Sequence, residues 1–129
     1  MLASLSIRDV VLIDRLDLEF HDGLGVLTGE TGAGKSILLD ALGLAIGMRA
    51  EARLVRQGAE RSNVSAVFEI SDDHEIRRQL SEQGVETEGE PLILRRVLNA
   101  DGRSRAFIND QAVSVGILRE IGDKMVEIH

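Results

Sequence analysis

The fold of this chain follows from eight consecutive residues, Gly29-Glu30-Thr31-Gly32-Ala33-Gly34-Lys35-Ser36. They match the pattern G-x-x-x-x-G-K-[ST], in which a glycine-rich loop joins a strand to a helix and binds phosphate. On the N-terminal side, the apolar run 25–28 predicts the strand. On the C-terminal side, residues 35–46 are apolar at nearly every position and predict a helix covered on most sides. Together these segments predict a P-loop.

The residue types of the loop suit a nucleotide and its metal ion. Gly29, Gly32 and Gly34 allow backbone N–H groups to turn inward and bind phosphate oxygens. Lys35 can reach the β- and γ-phosphates, the Ser36 hydroxyl suits Mg²⁺, and the helix adds the positive end of its dipole. We therefore predict that residues 29–36 bind nucleotide and that Ser36 binds Mg²⁺. The motif alone leaves open ATP or GTP, and binding or hydrolysis.

Length and composition restrict the class of protein. The chain has 129 residues, 43% of them hydrophobic, which predicts one compact domain and excludes disorder. It has no cysteine and three isolated histidines, which excludes disulfides and Cys-based metal sites. We find no signal peptide and no apolar run of membrane-spanning length, so we expect a soluble, cytoplasmic protein. The net charge of −7 argues against a broad duplex-DNA surface on this chain alone.

Alternation, turn residues and helix caps predict the remaining elements. In chain order these are strands over 5–13 and 16–20, a loop over 49–58, a strand over 65–70, a short helix from Ser71-Asp72-Asp73 to Gly84, strands over 91–98 and 103–108, a helix capped by Ser114, and a final strand over 124–128. Asn99-Ala100-Asp101-Gly102 predicts a β-hairpin between the two arginine-bearing strands. Within the final strand we interpret Glu127 as an ordinary strand residue rather than as a Walker-B acid, because its apolar run is incomplete.

The loop and its surroundings resemble the RecN family of bacterial DNA repair proteins, which are similar to the structural maintenance of chromosomes (SMC) proteins and have an ABC-type ATPase head. The resemblance rests on residues 16–20 and 23–42, residues 49–58, the hairpin, and Glu127-Ile128-His129. It covers essentially the whole chain. It implies an α/β P-loop NTPase fold of the ABC/SMC-head type, with a mixed β-sheet around a central P-loop helix. In these terms residues 1–129 are the N-terminal lobe of the head, without its second lobe and coiled coil.

The resemblance also implies cofactors and partners, namely ATP and Mg²⁺, the second lobe of the same head, a second head across the nucleotide as in a homodimer, and DNA through the complete protein. No membrane partner is implied, and a cytoplasmic, nucleoid-associated bacterial protein is expected. The family carries its Q-loop, signature motif, Walker-B pair and switch histidine beyond the part that this chain resembles. No catalytic set is complete here, and we expect the chain alone to bind ATP without hydrolysing it.

Two functions of different class remain in view. The leading one is the ATP-binding lobe of a RecN-like ATPase that acts in DNA double-strand break repair and recombination, with ATP-driven head engagement. The alternative is a P-loop regulatory module that holds nucleotide without turnover. A DNA-binding adaptor with a vestigial loop is disfavoured by the acidic charge.

Two groups of arginines keep open interpretations. SMC-like heads carry an arginine-bearing loop near nucleotide and DNA, and here it corresponds to Arg49, Arg53 and Arg56. The sequence does not choose among these three, nor between such a role and a solvated loop. Four more flank the hairpin tip, Arg95, Arg96, Arg103 and Arg105. For them a solvated strand face is favoured over a local basic strip for DNA, and the scarcity of aromatic residues argues against stacking on single-stranded bases. We expect a polar partner for Asp40 and no catalytic role for His129.

Overall fold

The structure, a computed structural model, describes residues 1–20 and 32–127, with the side chains of residues 1–20 and 36–126. The strands and helices of this part are β1 (Leu2–Val10), β2 (Ile13–Glu19), α1 (Gly32–Ala45), β3 (Arg61–Phe68), α2 (Glu75–Glu82), β4 (Leu92–Asn99), β5 (Ser104–Ile108), β6 (Gln111–Val113) and α3 (Val115–Glu127). A short 3₁₀ helix, Ala52–Leu54, precedes β3. The predicted strand over residues 25–28 lies outside the described residues.

Six strands form one sheet in the order β2-β1-β3-β4-β5-β6, and each neighbouring pair is antiparallel. The register aligns aliphatic side chains in rows across the sheet. In one row Leu5 pairs with Leu18 and Ala66, Ala66 pairs with Leu94, and Leu94 pairs with Ile108. Because side chains alternate along a strand, such a row places one whole face of the sheet against the core.

The two faces of the sheet differ in chemistry. The inward face carries buried aliphatic residues such as Leu5, Ala66 and Leu94, and α1 contacts it at β1, β3 and β4 while α3 contacts β5. The alternate positions, which include Ser6, Ser65 and Arg95 in mutual register, are only half-buried. The sheet therefore has a core face covered by helices and a polar outer face.

Helix α1 is enclosed only over its C-terminal half. All residues from 41 to 47 are buried, whereas Ser36 is exposed and Leu39 is 48% exposed. The prediction of a helix covered on most sides is confirmed for the second half of α1. In its first half, the side of Ser36 and Leu39 is open to solvent.

The structure confirms the early strands, the strand β3 and the hairpin. At the hairpin tip Gly102 has φ +94°, and the backbone N–H of Gly102 donates to the carbonyl of Asn99 at 2.9 Å. The α2 helix begins at Glu75, later than predicted. Its N-cap is His74, whose Nδ1 accepts a hydrogen bond from the N–H of Ile76 at 3.1 Å. The sequence analysis missed the three-residue strand β6.

The predicted final strand is wrong, since those residues continue helix α3 to Glu127. Ser114 caps this helix as predicted, because its Oγ accepts a hydrogen bond from the N–H of Ile117 at 3.1 Å. Beyond the cap, Leu118, Ile121 and Met125 follow one another at spacings of three and four, and all three are buried. This helical period outweighs the local strand preference of the apolar residues near the end.

Candidate nucleotide-binding site

The second half of the glycine-rich motif lies at the N-terminus of α1. The helix begins at Gly32, so Gly32 to Ser36 form its first turn, while Gly29, Glu30 and Thr31 lie outside the described residues. The first backbone N–H groups of a helix have no carbonyl partner within it and lie at the positive end of the helix dipole. This turn contains no acidic residue. The backbone therefore fits an anionic ligand such as a nucleotide phosphate.

The side-chain roles within the motif stay predictions. The side chains of Ala33 and Lys35 lie outside the described part, and Ser36 is exposed at the helix surface. Exposure of Ser36 agrees with a hydroxyl that reaches a ligand. Among the residues with described side chains, no group of three or more His, Cys, Asp or Glu residues could hold a metal ion. Mg²⁺ would therefore need the loop and the phosphates themselves.

The predicted arginine strip at the hairpin is divided between the two faces of the sheet. Arg95 and Arg96 are consecutive on β4 and must therefore point to opposite faces. Arg95 lies on the outer face, with its guanidinium 4.1 Å from the ring centroid of Phe107, and Arg105 approaches the same ring at 5.9 Å. Arg103 is exposed beside Asp101, at 3.9 Å. The solvated strand face that the sequence favours thus consists of Arg95, Arg103 and Arg105 only.

Arg96 belongs to the core and not to this strip, which corrects the prediction. Its side chain is 3% exposed and binds main-chain carbonyls at the C-terminal end of α1. Burial lowers the pKa of this guanidinium. Sequence reasoning missed the role, although the alternation along β4, where Leu94, Arg96 and Leu98 share the inward face, contains the signal.

The arginine-bearing loop is attached to the turn between β1 and β2. The N–H of Val11 donates to the carbonyl of Leu54 at 2.8 Å, and the N–H of Arg56 donates to the carbonyl of Asp9 at the same distance. Arg53 pairs with Glu51 at 2.8 Å, and the guanidinium of Arg56 lies 3.9 Å from the Asp9 carboxylate. Arg49 is exposed and has no ion pair within the described part of the chain. Of the three arginines, Arg49 is the one whose charge is uncommitted there.

The remaining candidates contribute little to the site. Glu127 ends a helix, so its interpretation as a strand residue, Walker-B or ordinary, is wrong. His129 lies outside the described residues. Asp40 is half-buried, and we find no hydrogen-bond partner for it among the residues that the structure describes. No described helix has the length and apolar character needed to cross a membrane.

Comparisons with known proteins agree with this geometry. The model of a family described as "AAA domain" matches residues 4–127. The chain is 46% identical over 131 residues to the DNA repair protein RecN of Haemophilus influenzae and 39% identical over 129 residues to that of Bacillus subtilis. Each match covers 100% of this chain, and 24% and 22% of those proteins. The chain thus spans about a quarter of the length of these curated relatives.

Solved structures show the same fold at low sequence identity. One, from work on ATP-driven dimerization and DNA-stimulated activation of SMC ATPases, superposes with a TM-score of 0.68 at 18% identity, over 93% of this chain and 76% of that one. The SMC head domain of Thermotoga maritima gives 0.63 at 18% identity, over 93% and 41%. The recombination mediator RecF with ATP gives 0.62 at 18% identity, over 91% and 29%. The α/β fold of the ABC/SMC-head type is therefore confirmed.

Proposed function

Because the chain belongs to the AAA domain family, we propose that it is the ATP-binding lobe of a RecN-like ATPase that acts in DNA double-strand break repair and recombination. One observation carries the proposal: α1 begins inside the glycine-rich motif, so a helix N-terminus without acidic residues coincides with G-x-x-x-x-G-K-S. Full-length matches to RecN proteins at 39–46% identity support the repair role.

Each part of the motif has a role in this proposal. Backbone N–H groups at Gly32 to Gly34 bind phosphate oxygens, Lys35 neutralises the β- and γ-phosphates, and the Ser36 hydroxyl provides one oxygen ligand for Mg²⁺. Gly29, Glu30, Thr31 and Ala33 complete the loop. When bound, MgATP supplies the γ-phosphoryl group that the complete protein transfers to water.

The partners follow from the incompleteness of the site. We infer that residues 1–129 form the N-terminal lobe of a head, that the second lobe completes the nucleotide site, and that a second copy of the head closes over the nucleotide in a homodimer. The likeness to an SMC ATPase structure concerned with ATP-driven dimerization supports this arrangement. DNA would bind to the complete protein, and a cytoplasmic, nucleoid-associated location accords with a repair function.

The test is a pair of lysine variants in the full-length polypeptide. The chain contains two lysines, Lys35 in the motif and Lys124 on α3, where its Nζ binds Gln79 Oε1 at 2.5 Å. We expect Lys35→Ala to weaken MgATP binding by on the order of tenfold or more and to abolish ATPase activity, because it removes the charge beside the phosphates. Lys124→Ala removes the same charge elsewhere and serves as the control.

The outcomes separate the proposal from its alternative. Loss of binding and of hydrolysis in Lys35→Ala alone supports the ATPase. Binding that depends on Lys35 without any hydrolysis by the full-length polypeptide would favour a regulatory nucleotide-binding module instead. Equal MgATP affinity in the wild type and Lys35→Ala would remove the phosphate-loop argument.

A further inference from the structure

Arg96 holds the C-terminal end of the helix that begins in the phosphate loop. Its Nη1 donates to the carbonyl oxygens of Leu44 and Met48 at 3.2 and 2.9 Å. Its Nε and Nη2 donate to Ser104 Oγ on β5 at 3.1 and 3.0 Å. The guanidinium therefore bridges two strands of the sheet and the last turn of α1. Its described partners are all neutral, and none of the described carboxylates forms an ion pair with it.

A charge at this position needs a reason beyond packing. The inward neighbours of Arg96 on β4 are Leu94 and Leu98, both fully buried, and an aliphatic side chain here would continue the core. Burying a cation without a carboxylate is costly unless hydrogen bonds and a local field compensate. The carbonyls at the C-terminus of α1 provide both, since the negative end of the helix dipole lies there. The side chain is thus matched to that helix end.

A helix transmits such a constraint to its other end. Leu44 lies in the last turn of α1, and Gly32 to Ser36 lie in the first. At a rise of 1.5 Å per residue the 14-residue helix is about 20 Å long and behaves as a rod, so its first turn moves with its last. The N-terminal half has little to hold it locally, because Ser36 and Leu39 are exposed.

We propose that Arg96 is a positioning residue for the phosphate site, which fixes α1 by its C-terminal carbonyls and thereby sets where the first turn of α1 stands relative to the sheet. The inference rests on the proposed function, in that the ligand at the first turn is a nucleotide. Arg96 acts through α1 and does not touch the ligand itself.

The chain offers a matched control in a second buried arginine. Arg77 on α2 is 9% exposed and also binds main-chain carbonyls, those of Ser71 at 2.9 Å, Ile70 at 3.2 Å and Thr87. These partners belong to the segments that flank α2 and include no residue of α1. Arg77→Met therefore removes a buried guanidinium of the same kind without releasing the phosphate-loop helix.

The experiment compares Arg96→Met, Arg96→Lys, Ser104→Ala and Arg77→Met in the full-length polypeptide, together with Lys35→Ala. Affinity for a fluorescent ATP analogue with Mg²⁺ is titrated at a temperature where circular dichroism shows each variant folded. Since an error of the order of an ångström is expensive in a positioned site, we expect Arg96→Met to weaken binding about fivefold to tenfold. Arg96→Lys keeps the charge and recovers part of this loss, and Ser104→Ala, which frees the guanidinium on one side, weakens binding about twofold.

Amide hydrogen exchange in the nucleotide-free protein provides the second readout. If Arg96 positions α1, exchange in residues 32–40 rises in the Arg96 variants and stays at the wild-type level in Arg77→Met. If Arg96→Met does not fold, Arg96→Lys and Ser104→Ala decide by the same two measurements.

Failure of the inference differs from failure of the proposed function. Unchanged affinity in Lys35→Ala would contradict the proposed function. An affinity that falls in Lys35→Ala but is the same in the Arg96 variants as in Arg77→Met would overturn the positioning role, since any loss of stability would then be merely structural.

Discussion

A Cβ atom built on Gly122 would stand 2.4 Å from the carbonyl oxygen of Ile46. Helix α3 therefore approaches the end of α1 at backbone distance, closer than any side chain at position 122 permits. Gly47 repeats the relationship from the other side, because a Cβ there would lie 2.4 Å from the backbone nitrogen of Arg119, and its φ is +90°. With Arg96, these two glycines fix the C-terminal end of α1.

We expect Gly122→Ala to destabilise the protein by about 1–3 kcal/mol, since the contact atoms are backbone and α3 must shift to make room. Gly116→Ala is the control in the same helix. A Cβ at Gly116 meets only Ser114 Oγ, at 3.7 Å, and alanine should be neutral or stabilising by up to about 1 kcal/mol. Urea unfolding measures both, and equal midpoints would contradict the close approach.

The turn between β5 and β6 predicts a second outcome. Asn109 and Asp110 have φ of 49° and 64°, and Ile108 pairs with Gln111, so the two residues form a hairpin loop with both φ values positive. Asp110→Val should destabilise by about 1–2 kcal/mol, because a β-branched residue resists this conformation. Asp110→Gly should leave the unfolding midpoint equal or higher. A valine variant as stable as the glycine variant would refute the turn assignment.

Acid sensitivity should depend on Asp17. Hydrogen bonding from Arg8 is the main cause that lowers the pKa of Asp17 below its ordinary 3.8, and Ser6 adds to it. The Arg8 Nη1 to Asp17 Oδ1 distance is 2.9 Å. A lowered carboxyl pKa stabilises the fold above the ordinary value, and this contribution is lost as the pH falls through the folded value.

Asp17→Asn should therefore lose less stability than the wild type when urea midpoints at about pH 5 and about pH 3 are compared. Asp14→Asn, an exposed neighbour on β2, should behave as the wild type does. An acid response in Asp17→Asn identical to that of the wild type would exclude the contribution.

Hydrolysis should require more than these 129 residues. We expect the isolated chain to bind MgATP more weakly than the full-length polypeptide and to release no phosphate above background, because a second metal-binding acid and a group that positions water are needed as well. Phosphate release at equal rates from both would show that the site is complete within this chain.

Local sequence signals predicted the helix that begins in the motif, the strands of the antiparallel sheet, the hairpin at residues 99–102 and the Ser114 cap. Each depends on a few neighbouring residues, such as the Gly102 tip or the Ser114 hydroxyl three residues before Ile117, so one sequence contains all that is needed. The residues that were misjudged have their partners far away in the chain. Met125 to Glu127 remain helical because α3 packs through Leu118, Ile121 and Met125.

The two neighbouring arginines of β4 show the same division most clearly. Their identity and their alternation are local, and alternation alone places Arg95 and Arg96 on opposite faces. Which face is buried, and that the buried guanidinium meets the carbonyl of Leu44 from 52 positions away, depends on how α1 lies across the sheet. The residue types at 29–36 specify the chemistry of a phosphate loop in advance of any structure. Where that loop's helix is held follows only from contacts between distant segments, because main-chain carbonyls at a helix end carry no mark in the sequence.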